Sequence, residues 1–361
     1  MKITKFLKIF SLSLITALPF TSCGGDEPDN GGNTPGGDVT PTPPTTSADF
    51  AKGADMSWLT KMENEGLKFY APGSNVPEDA MKILKDTKGV NSIRLRVWVN
   101  PADKWNNIDD VLVKARRAHA LGLRLMIDFH FSDTWADPGH QTPPAAWKDK
   151  NLDGMKAEIT AHVTDMLSKL KNEGITPEWV QIGNEITNGM LHPLGHIDHP
   201  ANLAALLNAG YDAVKSVSPT SKVIVHLDKG EDAWRYNNVF GKLKQHGGKY
   251  DIIGMSLYPE DPNDQNPVNW KSVTDKCLSN IRNVHATYNV PVIICEVGMH
   301  YSKGTMAKQW LTYLRDESEK LGFVDGIFYW EPQAPAGYNN GYFKGCFIDN
   351  SPTEALDAFK N

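Results

Sequence analysis

The sequence predicts an α/β chain folded as a (β/α)8 TIM barrel, and three observations lead there. From residue 50 onward, eight short β-rich apolar runs alternate with long amphipathic segments. The run ends are marked by residues with usable chemistry: Asp55, Arg96, His130, Glu185, His226, Tyr258, Glu296 and Trp330. No GxGxxG or GxxxxGK fingerprint follows any run, which disfavours an open doubly wound sheet. In a closed barrel the strand C-termini converge on one face, so these ends would share one pocket.

Taken in order, the chain begins with Lys2, Lys5 and Lys8 ahead of the apolar stretch Ile9–Phe20. That stretch is too short to span a bilayer and is interrupted by Pro19, the layout of a secretory signal. It runs into Phe20-Thr21-Ser22-Cys23, which resembles a bacterial lipobox. Residues 1–22 are therefore expected to be a lipoprotein signal peptide, with Cys23 as the lipid anchor. Residues 24–48 hold one large apolar side chain, Val39, among Gly, Pro, Thr and Asp. Such a segment cannot bury enough surface to fold, and 23–48 is read as a flexible tether. Asp26 and Glu27, just past the anchor, resemble the export signal of surface lipoproteins. The expected location is the outer membrane or cell surface of a Gram-negative bacterium, with a single catalytic domain over 49–361.

The eight predicted strands are Lys52–Asp55, Ser92–Val97, Arg124–His130, Trp179–Glu185, Lys222–Leu227, Asp251–Tyr258, Pro291–Glu296 and Gly326–Trp330. Helices are predicted between them, among them Ile108–Leu121 and Leu152–Glu173, each followed by a glycine, Gly122 and Gly174, suited to a helix end.

Composition narrows the function classes. A formal charge of −6, with 43 acidic against 37 basic residues and no basic run past the N-terminus, argues against nucleic acid. Ten Trp and eleven Tyr suit either sugar stacking or core filling. The four cysteines, Cys23, Cys277, Cys295 and Cys346, match no zinc ribbon and no CxxC pair. With Cys23 acylated, at most one disulfide remains possible, and Cys295 reads as a buried thiol. No cofactor, no metal and no obligate protein partner is expected.

Two runs carry the chemistry. Val180-Gln-Ile-Gly-Asn-Glu185 and Pro291-Val-Ile-Ile-Cys-Glu296-Val-Gly298 each end an apolar strand in a carboxylate. A helix cap or structural ion pair is the plainer use of either one. Together they suggest opposed carboxylates across a cleft, where one protonates a leaving oxygen and the other attacks an anomeric carbon. The loop His130–His140 packs two acids, two histidines and Trp135 into a turn that needs none of them. Asp137-Pro138-Gly139-His140 is expected to border the sugar-binding cleft, a self-packed loop being the alternative.

Lys52-Gly-Ala-Asp-Met-Ser-Trp58, Ile93-Arg-Leu-Arg-Val-Trp98, the Asp128–Pro138 block, Gln181–Leu191 and Val225-His-Leu-Asp228 resemble the arabinogalactan endo-β-1,4-galactanases, glycoside hydrolase family 53. Ser256-Leu-Tyr-Pro259 and Tyr329-Trp-Glu-Pro332 continue the likeness, which runs from residue 50 to about 358. The resemblance implies a retaining, endo-acting enzyme on β-1,4-galactan, with Glu185 as acid/base and Glu296 as nucleophile. It implies that Arg94, matching the family's active-site arginine, pairs with Glu296 and depresses its pKa, a structural ion pair being the plainer use; strand alternation is read as turning Arg96 to the opposite face. Asn184 would bind the sugar 2-hydroxyl, Tyr258 would donate to Glu296, and Trp330 would floor the catalytic subsite. Asp55, His130 and His226 join the supporting set. Two departures stand out. The loop Val297–Gly304 has one histidine and no carboxylate where many bacterial members bind calcium, so no calcium is expected. His192 and Glu231 replace tryptophans usual in the family, which puts the outer subsites in doubt. The alternatives are a barrel glycosidase on mannan or cellulose, and an inactive surface glycan-binding protein.

Overall fold

A computed structural model describes residues 49–259 and 269–360. The chain divides into two units, Met1–Thr46 and Ser47–Asn361. The signal segment, Cys23 and the tether through residue 48 lie outside the described residues. In the second unit eight parallel strands close a barrel: β1 Ala51–Asp55, β2 Ser92–Val97, β3 Arg124–Phe129, β4 Trp179–Ile182, β5 Lys222–Leu227, β6 Ile252–Leu257, β7 Val292–Val297 and β8 Val324–Trp330. Around the ring each pairs with its sequence neighbour, and β1 closes onto β8.

The strands form where β-branched residues cluster, as in Lys222-Val-Ile-Val-His-Leu227 and Val292-Ile-Ile294. Between them run α1 Ala80–Lys88, α2 Ile108–Ala120, α3 Leu152–Asn172, α4 Pro200–Val217, α5 Ala233–Gln245, α6 Trp270–Tyr288 and α7 Gly304–Leu321. Five of these starts are capped: the side chains of Asp79, Asn107, Asn151, Asp232 and Asn269 each accept a backbone N–H of the first turn. Gly122 and Gly174 follow α2 and α3 with positive φ, as the sequence predicts. Among the described residues no helix is long and apolar enough to cross a membrane. Three two-residue strand pairs, such as Phe69–Tyr70 with Pro77–Glu78, were not foreseen, being too short to show a period.

Two apolar layers hold the barrel. One lies between strands and helices and is continuous around the ring. The other fills the lumen with Ala51, Met126, Trp179, Ile224, Ile252, Ile293, Cys295 and Phe328. The interior is thus a packed core, and polar side chains rise only above it. Cys277, Cys295 and Cys346 are all buried free thiols.

Register decides which side chains reach the upper lumen. Arg94 and Arg96 on β2 are both buried and meet partners inside the barrel. This corrects the expectation that Arg96 faces away, because a strand's period of two returns residue i+2 to the same face. On β7 simple alternation would send Cys295 and Val297 inward and Glu296 outward. Instead the pairing with β6 passes from Met255↔Ile294 to Ser256↔Glu296, and with β8 from Ile294↔Ile327 to Val297↔Tyr329. One extra residue in β7 forms a bulge, so Cys295 stays in the luminal core while Glu296 also turns toward the mouth.

The lumen has no room for a side chain at Gly53. A Cβ there would lie 2.2–2.5 Å from three atoms of the Phe328 ring. Gly53→Ala should therefore lose about 1–3 kcal/mol of stability in denaturant titration. Pairing it with Phe328→Leu should return part of that loss; additive losses in the double variant would refute the packing account.

Candidate active site

The polar upper lumen is organised by Arg94. Its Nη1 contacts Asp55 Oδ2 at 2.8 Å and Glu296 Oε1 at 2.9 Å, and its Nη2 contacts Asp128 Oδ2 at 2.8 Å. Nη2 also donates to Asn184 Oδ1 at 2.9 Å and to Gln181 Oε1 at 3.1 Å. A planar guanidinium fits this task because its donors fan out in fixed directions toward several acceptors. Glu296 takes a second hydrogen bond on its other oxygen from the Tyr258 hydroxyl at 3.1 Å.

Glu185 is held differently. The chain leaves β4 at Gly183 with φ 82°, and Glu185 itself sits at φ 46°. A Cβ on Gly183 would lie 2.7 Å from Ile186, so only glycine fits this turn. Glu185 Oε1 accepts from Ser256 Oγ at 2.6 Å, and Ser256 Oγ in turn meets His226 Nε2 at 2.8 Å. With Ser256 donating onward, His226 carries its proton on Nε2, and its Nδ1 accepts from Gln181 Nε2 at 3.0 Å. Burial holds His226 well below the ordinary histidine range, so it works as a neutral ring.

The two glutamates differ in proton affinity. Burial holds Glu185 well above the usual carboxylate range; Glu296 adds to this and the Ser256 hydrogen bond only partly opposes it. Burial also pushes Glu296 up, to about 7, against the pull of Arg94, with Asp128 and Asp55 adding negative charge. Arg94 pairs with Glu296 and lowers it as expected, but the net shift is upward. Enclosure and two neighbouring carboxylates outweigh one shared cation. Arg94 and Tyr258 bond Glu296 directly, whereas Glu185 takes the neutral Ser256 hydroxyl.

An aromatic wall stands beside the carboxylates. Trp58 packs edge-on against Trp135 and Trp330 at centroid distances of 5.7 and 5.1 Å. Arg96 lies 4.5 Å from the Trp135 ring centroid, and Glu331 accepts from Arg96, from the Trp58 backbone N–H and from Gln333. A cleft of about 830 Å³ opens here, lined by Glu185, Ser256, Tyr258, Trp330, Glu231 and others.

The predicted residues fall into two groups. Asp55, Arg94, Asn184, His226, Tyr258, Glu185 and Glu296 form one connected network. His130 joins it through Asp128 at 2.9 Å, and Trp135 and Trp330 join the aromatic wall. Asn184 Nδ2 spends one hydrogen on the Ala136 carbonyl and keeps the other. Asp137, Pro138, Gly139 and His140 are not brought to this cleft's lining. Asp137 accepts from Gly139 N–H at 2.8 Å and meets His140 Nδ1 at 2.9 Å, closing an exposed turn on itself. Sequence reasoning missed Asp128, Gln181, Ser256 and Glu331. A signal existed: each is a polar residue in or just past an apolar strand, and Asp128 and Gln181 sit at inward positions of their strands.

A (β/α)8 barrel with two glutamates of unlike proton affinity, at the ends of β4 and β7 beside an aromatic wall, is the layout of a barrel glycosidase. The chain matches Glycosyl hydrolase family 53 over residues 51–321 and belongs to that family. It is 34% identical to an arabinogalactan endo-beta-1,4-galactanase of Thermothelomyces thermophilus, over 83% of this chain and 93% of the relative. Among solved structures it resembles a fungal beta-1,4-galactanase with a TM-score of 0.75 at 31% identity, over 85% of this chain and 98% of that one. The GH53 catalytic domain of Ignisphaera aggregans gives 0.77 at 26% identity, over 88% and 97%.

Removing the guanidinium should expose what it holds. Arg94→Met leaves Asp55, Asp128 and Glu296 buried together, and should cost about 3–5 kcal/mol at neutral pH. Glu296, already held above its ordinary range, loses the cation that lowers it and is pushed higher still. The stability so linked is present below the unfolded pKa and lost as pH rises through the folded one. Denaturant titrations should show a smaller deficit at pH 5 than at pH 8; an equal deficit would contradict the ion-pair account.

Proposed function

We propose that this chain cleaves β-1,4-galactan internally with retention, Glu296 acting as nucleophile and Glu185 as acid/base. The observation that carries the role assignment is the contrast in their surroundings. Glu296 receives Arg94 and Tyr258, both of which favour its ionised form. Glu185 receives one neutral hydroxyl and faces another carboxylate, which favours its proton. In the first step Glu296 attacks the anomeric carbon, the glycosidic C–O bond breaks, and the Glu185 proton passes to the departing sugar oxygen. In the second, Glu185 takes a proton from water, whose oxygen displaces Glu296 and restores the β configuration. Asn184 has a hydrogen to offer the sugar 2-hydroxyl, and Trp330 on the cleft wall offers a face to stack on. Asp137, Pro138, Gly139 and His140, outside the cleft's lining, are assigned the outer border of the sugar path, tied to the site by Gln141 Nε2, which donates to the Asp137 and Asn184 carbonyls. The galactan assignment follows the relatives' activity and is tested by product analysis on galactan, mannan and cellulose.

The protein is further proposed to be exported and held at the membrane by acylated Cys23, supported by the lysine-flanked apolar leader, the lipobox and the core-free segment after it. Cys23→Ala should appear in the soluble fraction with activity intact. A variant that still partitions with lipid would end the anchor reading.

Azide separates the glutamate roles. On an activated aryl galactobioside, Glu185→Ala should form the glycosyl-enzyme and stall, and azide should release it as the β-glycosyl azide. Glu296→Ala has a vacant face opposite the leaving group, so azide should give the α-glycosyl azide. Reversed configurations would swap the two assignments.

A further inference from the structure

We propose that Glu231 is a specificity-determining residue that holds the leaving-group sugar of the substrate by accepting a hydrogen bond from one of its hydroxyls. The inference rests on the glutamate roles proposed above. It begins with an anomaly: Glu231 lines the catalytic cleft, yet its Oε2 is enclosed with no hydrogen-bond partner among the described residues. An enclosed carboxylate oxygen without a donor costs stability and calls for a reason. Its neighbour Asp228 shows the ordinary solution on the same wall, being paired with Thr187 Oγ1 and Arg235 Nη1. Glu231 Oε2 is the acceptor left unspent; its own backbone amide and the charge of Lys229 are the groups that favour its ionised form.

The loop that carries it is fixed on both sides. Gly230 N–H donates to the Ser256 carbonyl at 2.7 Å, and the Gly230 carbonyl accepts from Asn280 Nδ2 at 2.8 Å. A Cβ on Gly230 would lie 2.8 Å from Cys277 Sγ, so this backbone is packed tightly against its support. Lys229 just before it takes a left-handed φ of 49°, a conformation that costs a lysine energy and aims the following residues. Ser256 is the shared anchor: its carbonyl holds the Glu231 loop while its hydroxyl holds Glu185. Glu231 therefore stands at a set offset from the acid, and the group that the acid protonates is the departing sugar. A carboxylate there binds a hydroxyl of that sugar equally before and during bond cleavage, which lowers KM without raising kcat.

The test compares Glu231→Ala and Glu231→Gln with wild type on β-1,4-galactan and on an aryl galactobioside, whose leaving group carries no sugar. Galactan KM should rise about tenfold in the alanine variant with kcat within roughly threefold, the worth of one hydrogen bond to a charged acceptor. The loss of kcat/KM on the aryl substrate should be several-fold smaller. Glu231→Gln keeps an acceptor oxygen and should recover part of the galactan affinity. Melting temperature should stay level or rise in Glu231→Ala, because an unsatisfied oxygen has gone. Equal losses on the two substrates, or wild-type KM on galactan, would overturn the inference. Wild-type protein inert on galactan would instead remove the functional reading itself, and azide products of reversed configuration would remove the role assignment.

Discussion

Burying a guanidinium away from water costs several kcal/mol unless its donors meet matched acceptors. Arg94 meets Asp55, Asp128 and Glu296 together with two amide oxygens; the three carboxylates arrive from β1, β3 and β7, and Gln181 and Asn184 both come from the end of β4. The ion cluster therefore checks the barrel's closure: β1, β2, β3, β4 and β7 must all be in register for its bonds to form. The same cluster sets the chemistry. Three carboxylates share one fixed cation, so negative charge remains in excess, and burial together with that excess holds Glu296 above its ordinary range. A site built this way is rigid before any sugar enters, which is what positioning by fixed dipoles and charges requires.

The cluster would be incomplete without a local breach of strand order. Eight strands of alternating side chains cannot by themselves place both Cys295 and Glu296 indoors. The β7 bulge does so, keeping the thiol in the luminal core while presenting the next residue to Arg94. Bulges at barrel rims re-aim side chains at little cost because the strand is ending there. Glu185 reaches the same mouth by other means, a glycine turn followed by a left-handed backbone. The two glutamates thus owe their placement to two distinct departures from regular β geometry.

This explains what could be read from sequence. Strand runs, helix caps and the convergence of Asp55, His226, Glu185 and Glu296 follow from periodicity and topology, which are local or nearly so. Arg96 was misplaced although the rule that places it is equally local; two residues along a strand is the same face. The direction of the Glu296 shift was not accessible, because it is a balance between enclosure and the charges of Asp55 and Asp128, and those meet only in three dimensions. The bulge left no mark in a run as uniformly apolar as Val292-Ile-Ile-Cys295. The Asp137–His140 turn has the composition of a binding loop, but composition does not show whether polar groups point outward or at one another.

Where unsatisfied polar atoms lie shows how the barrel divides its labour. Among the described residues, Arg96 Nε, Asp128 Oδ1, Glu231 Oε2 and Gln333 Oε1 are enclosed without hydrogen-bond partners at or above the C-terminal ends of the strands, and His162 Nε2, Asn280 Oδ1 and Ser318 Oγ are their counterparts in the helix shell. Below the strand ends the lumen is closed by Trp179, Phe328 and aliphatic side chains with nothing polar left to satisfy in that layer. The lower lumen is thus the saturated layer, and unspent polar groups stand on the rim above it. Left-handed backbone at Glu185, Lys229 and Glu331 falls on the same rim. Unmet hydrogen bonds and left-handed backbone on that rim suit a surface shaped for a polyhydroxylated chain: each hydroxyl can be donor and acceptor, and it finds its partners waiting only if the protein has not already used them.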